Sequence, residues 1–325
     1  MRKYYDYNKE ESDIFTKLFL REIMINQLVI TKRIISFILS ILMLSFAEDY
    51  AQASDPFRKI KPRPIGENTA AAFTEIFKEG NYQKGKSYLQ KAIRTEGNEP
   101  LAYAIEASLA YSNEDWETMK NSADKTLAVA KKLVSSDLLR GNLYQAVGHF
   151  LQGAYTFKMH GPLGAVDKLQ LVFDYLDISE NIDPQDPEFN LLKGYLELIL
   201  SVNLPFSSPK DAILRFEKYA APKYMVDRAL FTAYRDLGEY NKAMSYINIA
   251  LDNNPNNPEL HYFKGQLLRK QGKTEESEIK SFNLLKEAYV YFDKAMIKFN
   301  QLPKGIQIPL RHDHRAVQDE ITSIN

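Results

Sequence analysis

The residues of this chain whose types and spacing suggest chemistry are few. His149 and His160 stand eleven positions apart. That is three helical turns, so they share a face if one helix carries both, yet they lie ~16 Å apart along its axis, too far to hold one metal. Gly161 and Pro162 end any such helix there. His312-Asp313-His314 has the ligand types of a metal site. Histidines two apart leave a helix on different sides and chelate together only from an extended chain, so the run predicts solvated side chains, not a metal site. Ser122 and Lys125 match the Ser-x-x-Lys start of penicillin-recognising enzymes, but neither Ser-Asp-Asn nor Lys-Thr-Gly follows. Gly272-Lys273-Thr274 resembles the end of a phosphate-binding loop. The position needing its first glycine is Leu267, and no strand pattern precedes it, so it reads as a hairpin turn. No catalytic, cofactor-binding or metal-binding set emerges. A hydrolase or transferase reading survives only if His149 and Asp167 converge with a third polar group.

Composition narrows the classes further. The 325 residues carry 42 Lys and Arg against 42 Asp and Glu, so nothing in the overall charge seeks nucleic acid or anionic lipid. There is no cysteine, which removes disulfides, thiolate metal sites and cysteine nucleophiles. Aromatic residues are many, 20 Tyr and 18 Phe, but base stacking would need a matching basic excess.

The elements that position these residues are helices. Residues 34–47 are uncharged and follow Lys32-Arg33; Ala51-Gln52-Ala53 comes next. A basic flank, a short apolar stretch and small residues at a cleavage site make a secretory signal over residues 1–53, cut before Ser54, with Met24 as an alternative start. Fourteen uncharged residues fall short of the ~20 that span a bilayer, which disfavours an uncleaved anchor and leaves no integral span after cleavage. An exported, periplasmic or otherwise extracytoplasmic location follows as an expectation. Residues 54–65 hold three prolines and four basic residues, which exclude a helix and favour an extended polyproline segment.

Beyond that a period near thirty-four residues sets in. Its clearest copy runs Leu237-Gly238-Glu239-Tyr240-Asn241-Lys242-Ala243, then Ala250-Leu251, then Asn254-Pro255-Asn256-Asn257-Pro258. Gly238 and Tyr240 suit a tight turn between two helices. Ala243 and Ala250 are small where helices cross, and Pro255 stops the second helix. Gly80-Asn81-Tyr82 with Ala92, and Glu114-Asp115-Trp116 with Ala107, return in the same register. Trp116 takes the turn tyrosine's place, a packing role. Gly194, Ala212, Gly265 and Gly272 mark later copies. This pattern resembles the tetratricopeptide repeat over most of residues 66–300. The resemblance implies an all-α fold, a TPR-like α-α superhelix in the form of a right-handed solenoid of about six helical hairpins. These fall at 66–98, 100–132, 138–182, 187–221, 223–253 and 257–300. The sixth carries an insertion near 275–285 between its halves, with its second helix resuming at Glu287. Residues 301–325 form a polar tail with a capping helix from Arg311 to Ile324. Asp55-Pro56-Phe57-Arg58-Lys59-Ile60, Pro62-Arg63-Pro64-Ile65-Gly66 and the run 140–150 are also similar to exported cyanobacterial proteins of this kind, which have no assigned activity.

In such repeats the first helix of each pair lines a concave groove that holds a peptide or protein segment. The resemblance therefore implies a non-catalytic binding module, a scaffold or assembly factor. Its groove residues would be Arg228, Thr232 and Arg235 in the fifth hairpin and Tyr262, Gln266, Arg269 and Lys270 in the sixth. A basic cluster of this kind suits an acidic segment, since the arginine fork pairs with carboxylates. The family's carboxylate clamp has Lys and Asn where this chain has Arg228 and Thr232, and Phe263 replaces a polar residue, so chaperone-tail binding is not expected. Self-association into a cell-envelope structure is the remaining alternative.

Overall fold

The computed structural model describes residues 55–203 and 209–324, all within one compact unit, Ser54–Asn325. The expected signal over residues 1–53 lies outside the described residues. Thirteen α-helices and no strands occur among the described residues, and none of these helices is long and apolar enough to cross a membrane.

Twelve helices pair into six hairpins. They are α1 (Glu67–Phe73, continued by a π-helical turn Thr74–Lys78) with α2 (Tyr82–Thr95), and α3 (Pro100–Ser112) with α4 (Trp116–Leu133). Next come α5 (Leu138–His160) with α6 (Val166–Ile182), and α7 (Pro187–Asn203) with α8 (Pro209–Lys218). The last are α9 (Lys223–Asp236) with α10 (Tyr240–Asn253), and α11 (Pro258–Thr274) with α12 (Glu278–Ile297). A thirteenth helix, α13 (Lys304–Ile324), follows. Side chains start the helices as their chemistry requires: Asn81, Asp115, Asp137, Asp186 and Asn257 each accept from backbone N–H groups of the first turn. Prolines at the first position of α3 and α11 lack an N–H where none is needed. Gly238, at φ +77°, turns the fifth hairpin.

Small residues let the hairpins nest. Ala92, Ala123, Ala130, Ala243, Ala250, Ala288 and Ala295 are all buried. Gly194 faces the ring of Phe216 and Gly265 that of Phe292, where an added Cβ would come within 2.8 Å and 2.6 Å of ring carbons. The third hairpin goes further. Gly141 and Gly148 lie on one face of α5, and a Cβ there would sit 2.5 Å from the backbone N of Val134 and 3.0 Å from that of Leu127. Helix α5 therefore crosses the C-terminal half of α4 nearly backbone to backbone.

Four expectations need correction. No insertion separates the halves of the sixth hairpin: the extra residues lengthen α11 to Thr274 and start α12 at Glu278, leaving a short turn between. Gly272 is thus in the last turn of α11, where its missing side chain makes room for Leu285 of α12, and not at the turn itself. The final helix begins at Lys304, not Arg311, with Pro309 inside it in the second turn, where the missing N–H leaves the carbonyl of Gly305 without its intrahelical partner. Residues 55–65 are non-helical but bent, not evenly extended. The Asp55 carboxylate accepts from the N–H groups of Phe57, Arg58 and Arg63, and Lys61 adopts φ +52°.

That bent strap is docked. Phe57 packs edge-on against Phe73 at 5.1 Å, and Ile65 is buried. Arg63 pairs with Asp137, Asp186 and Glu188 at 2.8–3.0 Å, and Arg58 pairs with Asp186. The strap so ties the first hairpin to the starts of α5 and α7. A second closure is longer in range. Tyr82 donates to Glu259 at 3.1 Å, Asn257 donates to the carbonyl of Lys78 at 2.9 Å, and Phe73 meets Tyr224 at 6.4 Å. Gly80, at φ +67°, is pressed so close to Asn257 that a side chain would clash. The array is a superhelix whose first hairpin touches its fifth and sixth.

Candidate binding groove

The starts of the first helices of several hairpins converge on buried charges. Arg140 of α5, 3 % exposed, donates to Glu99 before α3 and to Glu188 of α7 at 2.8–3.2 Å. Tyr144 donates to Glu188 at 2.7 Å. Burial pushes the Tyr144 hydroxyl well up, and the charge of Glu188 adds to it, so it acts here only as a donor. The run 140–150 is thereby explained: Arg140 and Tyr144 serve the charged centre, while Gly141 and Gly148 serve the crossing with α4.

Arg228 belongs to a second such centre. It pairs with buried Glu259 at 2.6 Å and lies 5.5 Å over the Phe263 ring. Its side chain is 19 % exposed and committed within the fold, so it is not presented to a groove. Phe263, at the position of a clamp residue, serves as its platform. Burial lowers the Arg228 guanidinium's basicity, but the adjacent Glu259 more than reverses this and holds it above the usual range. Thr232 bonds to the carbonyl of Arg228 in its own helix. Tyr262 is buried and donates to Asp313 at 3.1 Å. These three leave the set expected to face a partner.

The other four come together. Arg235, Gln266, Arg269 and Lys270 line an open groove of about 1040 Å³ with Lys273, and Leu198, Ser201 and Pro209 line it too. Sequence reasoning missed Lys273, although it stands one helical turn beyond Arg269 on α11. It also missed that α13 contributes Asp313 to the lining. Asp313 accepts from Tyr262, Gln266 and Arg269, the last at 2.8 Å. Glu320 accepts twice from Arg269, at 3.0 and 2.7 Å, and pairs with Lys273 at 3.3 Å. Burial works to raise the Glu320 carboxyl, but Arg269 and Lys273 outweigh it and hold the group below the usual carboxylate range. Arg235 pairs with its neighbour Asp236 at 2.9 Å. Lys270 is exposed, stacks 5.7 Å from the Tyr240 ring and has no ion pair among the described residues.

The residues considered for chemistry are spread apart. His149 and His160 both ride on α5, which ends at Gly161 with φ +82°. His149 is buried and stacks on Tyr175 at 5.6 Å. Burial keeps its imidazole less basic than usual, and the charged groups bearing on it are Lys168 and Lys131, whereas Asp167 is exposed. Among the described residues no carboxylate orients it as a general base would require. His312 lies beside Asp313, and His314 bonds to Asp293 at 2.7 Å and stacks on Tyr289. No group of three metal-ligating side chains occurs among the described residues. Ser122 is buried and donates to Glu106 at 2.6 Å. Trp116 packs edge-on against Tyr111 at 5.8 Å, under Lys158.

Residues 228–289, which include the basic stripes of α9 and α11, match the tetratricopeptide-repeat family. Tetratricopeptide repeats are protein-interaction and scaffold modules on a generally non-catalytic fold. Among solved structures, the human IFIT1 dimer with PPP-AAAA is similar to the chain at 16 % identity and a TM-score of 0.42, covering 78 % of this chain and 59 % of that one. The human IFIT1 dimer with m7Gppp-AAAA gives 15 %, 0.43, 79 % and 58 %. The chain thus spans under two thirds of the IFIT1 chains it matches. No curated protein matches the sequence.

Proposed function

We propose that the chain is a non-catalytic binding module that holds an acidic protein segment in the groove between α9 and α11, outside the cytoplasm. The observation that carries this reading is the groove itself. Arg235, Arg269, Lys270 and Lys273 face one open space of about 1040 Å³, and only Asp236 and Asp313 oppose them among its lining residues. A partly enclosed site strengthens each cation's pull on a carboxylate relative to open water. The apolar wall from Leu198, Pro209 and Leu237 takes the partner's hydrophobic side chains. Residues 34–47 and Ala51-Gln52-Ala53 support export.

Arg235→Glu with Lys270→Glu reverses charge at two rim positions that leave the core alone. Affinity capture from cells, run beside the unaltered chain, should recover a protein that the reversed variant loses. Identical captures by both, with matching circular dichroism, would exclude this groove. Fractionation with N-terminal sequencing tests export: a mature chain outside the cytoplasm beginning at Ser54 is expected, and an uncleaved cytoplasmic chain would refute it.

A further inference from the structure

Helix α6 is held along one side only. Val172 and Leu176 are buried in one cluster with Leu143 of α5 and Phe189 of α7, and Glu180 pairs with Lys193 and Arg215 of the fourth hairpin. The other side is bare from Val166 to Ile182. Phe173 and Ile178 are 39 % and 43 % exposed, and Asp174 and Asp177 are exposed with them. At about 100° per residue, the two aspartates stand at the middle of this side, with Phe173 on one flank and Ile178 on the other. Asp174 accepts from Gln170 of its own helix at 2.8 Å, and Asp177 has no polar partner among the described residues. Exposed apolar groups set in a polar frame mark an interaction surface.

The groove between α9 and α11 is the counterpart of that side. Asp313 and Glu320 already occupy Arg269, but Lys270 and Lys273 stay open. Lys270 is exposed without an ion pair among the described residues, and Lys273 is 57 % exposed with one long pair to Glu320. The spacings agree. Asp174 and Asp177 are three residues apart, as are Lys270 and Lys273, so each pair spans about 4.5 Å along its helix. Leu198, Pro209 and Leu237 of the groove offer apolar surface to Phe173 and Ile178. The groove's 1040 Å³ equals about two turns of a helix roughly 11 Å across, which is the stretch carrying these four residues. No residue of α6 lines the groove of its own chain, and its packing on α5 and α7 keeps it from moving there.

Resting on the groove reading above, we infer that the acidic partner is a second copy of this chain, whose α6 enters the groove bare side first. Asp174 and Asp177 pair with Lys270 and Lys273. The chain has no net charge, so copies meet without general repulsion while their opposite charges stand on separate surfaces. The contact joins two different surfaces, so the association runs head to tail.

Sedimentation of the full chain tests this. Its average mass should rise with concentration up to about 100 μM and fall as salt is raised. Asp174→Lys with Asp177→Lys, and separately Lys270→Glu with Lys273→Glu, should each weaken association about a hundredfold or more, because like charges then face each other. Circular dichroism should not change. An equal mixture of the two variants decides the matter: the intact groove of the first takes the intact α6 of the second, giving a dimer and nothing larger. An unaltered chain that stays monomeric, variants that associate as it does, or a mixture that stays monomeric would each overturn this inference. The groove reading is judged apart, by the capture with Arg235→Glu and Lys270→Glu, and stands if a different protein is lost there.

Discussion

Arg228 of the fifth hairpin donates to Glu259 of the sixth at 2.6 Å, and Tyr82 of the first hairpin donates to the same carboxylate. Three hairpins thus meet on one carboxylate that is 1 % exposed. Arg228→Ala leaves Glu259 charged and unpaired in the interior, which typically costs about 3–5 kcal/mol. Arg228→Met with Glu259→Leu removes both charges and should cost much less. Urea unfolding of the two variants checks this; equal losses would show that shape, not charge, holds this contact.

Gly141 and Gly148 should not tolerate a methyl group. At Gly141 the added carbon meets the backbone of Val134, which has no rotamer with which to give way. Overpacking of this kind costs roughly 1–3 kcal/mol. Gly141→Ala should fall in that range by thermal or urea unfolding. Gly161→Ala is the useful contrast: nothing lies within 4 Å, and its cost comes from φ +82° alone.

Glu96 predicts a pH dependence. Its carboxylate reaches from the end of α2 to the start of α1, accepting from the N–H groups of Asn68 and Thr69 and from both side chains at 2.7–2.9 Å. It caps a helix whose N-cap, Gly66, has no side chain to do so. Burial tends to raise the Glu96 carboxyl, but these bonds prevail and hold it below the usual range. The folded state therefore binds its proton less readily than the unfolded chain. The stabilisation is fully present above the ordinary glutamate pKa, near about 4.3, and is lost as pH falls through the lower folded value. Glu96→Ala should cost about 1 kcal/mol at neutral pH, with the difference from the unaltered chain shrinking below about pH 4. A gap in urea midpoints that stays constant into acid would refute it.

Arg269→Gln should loosen the end of α13 without unfolding the array. It removes the donor that joins Asp313 to Glu320 but spares Leu310 and Val317. Amide hydrogen exchange should quicken over the helix after Val317, while the main unfolding transition moves by less than about 1 kcal/mol. Exchange slowed or unchanged throughout α13 would contradict the role given to this arginine.

The hairpins were legible because their punctuation is local. Gly80 and Gly238 turn, Ala243 and Ala250 permit close crossing, and Pro100 and Pro258 open helices; each acts within a few residues of where it stands. The side of α11 that carries the basic stripe was legible for the same reason. What those arginines do was not. Arg228 meets Glu259, Arg63 meets Glu188 and Arg269 meets Glu320 at separations of 31, 125 and 51 residues. No periodicity records such pairs, so a cation bound within the fold and one offered to a partner look alike in sequence. The length of the sixth hairpin was misplaced for a related cause: extra residues in an amphipathic stretch lengthen either the helices or the turn, and Leu285 packing against Gly272 decided for the helices.

An open row of repeats can come apart from either end, one neighbour at a time. Here the first described hairpin is clasped to the later ones through Tyr82, Gly80 and Asn257, so it is tied at both sides. Loss of that clasp would leave the first hairpin held by its neighbour and the strap alone, and it would then be the place where opening starts.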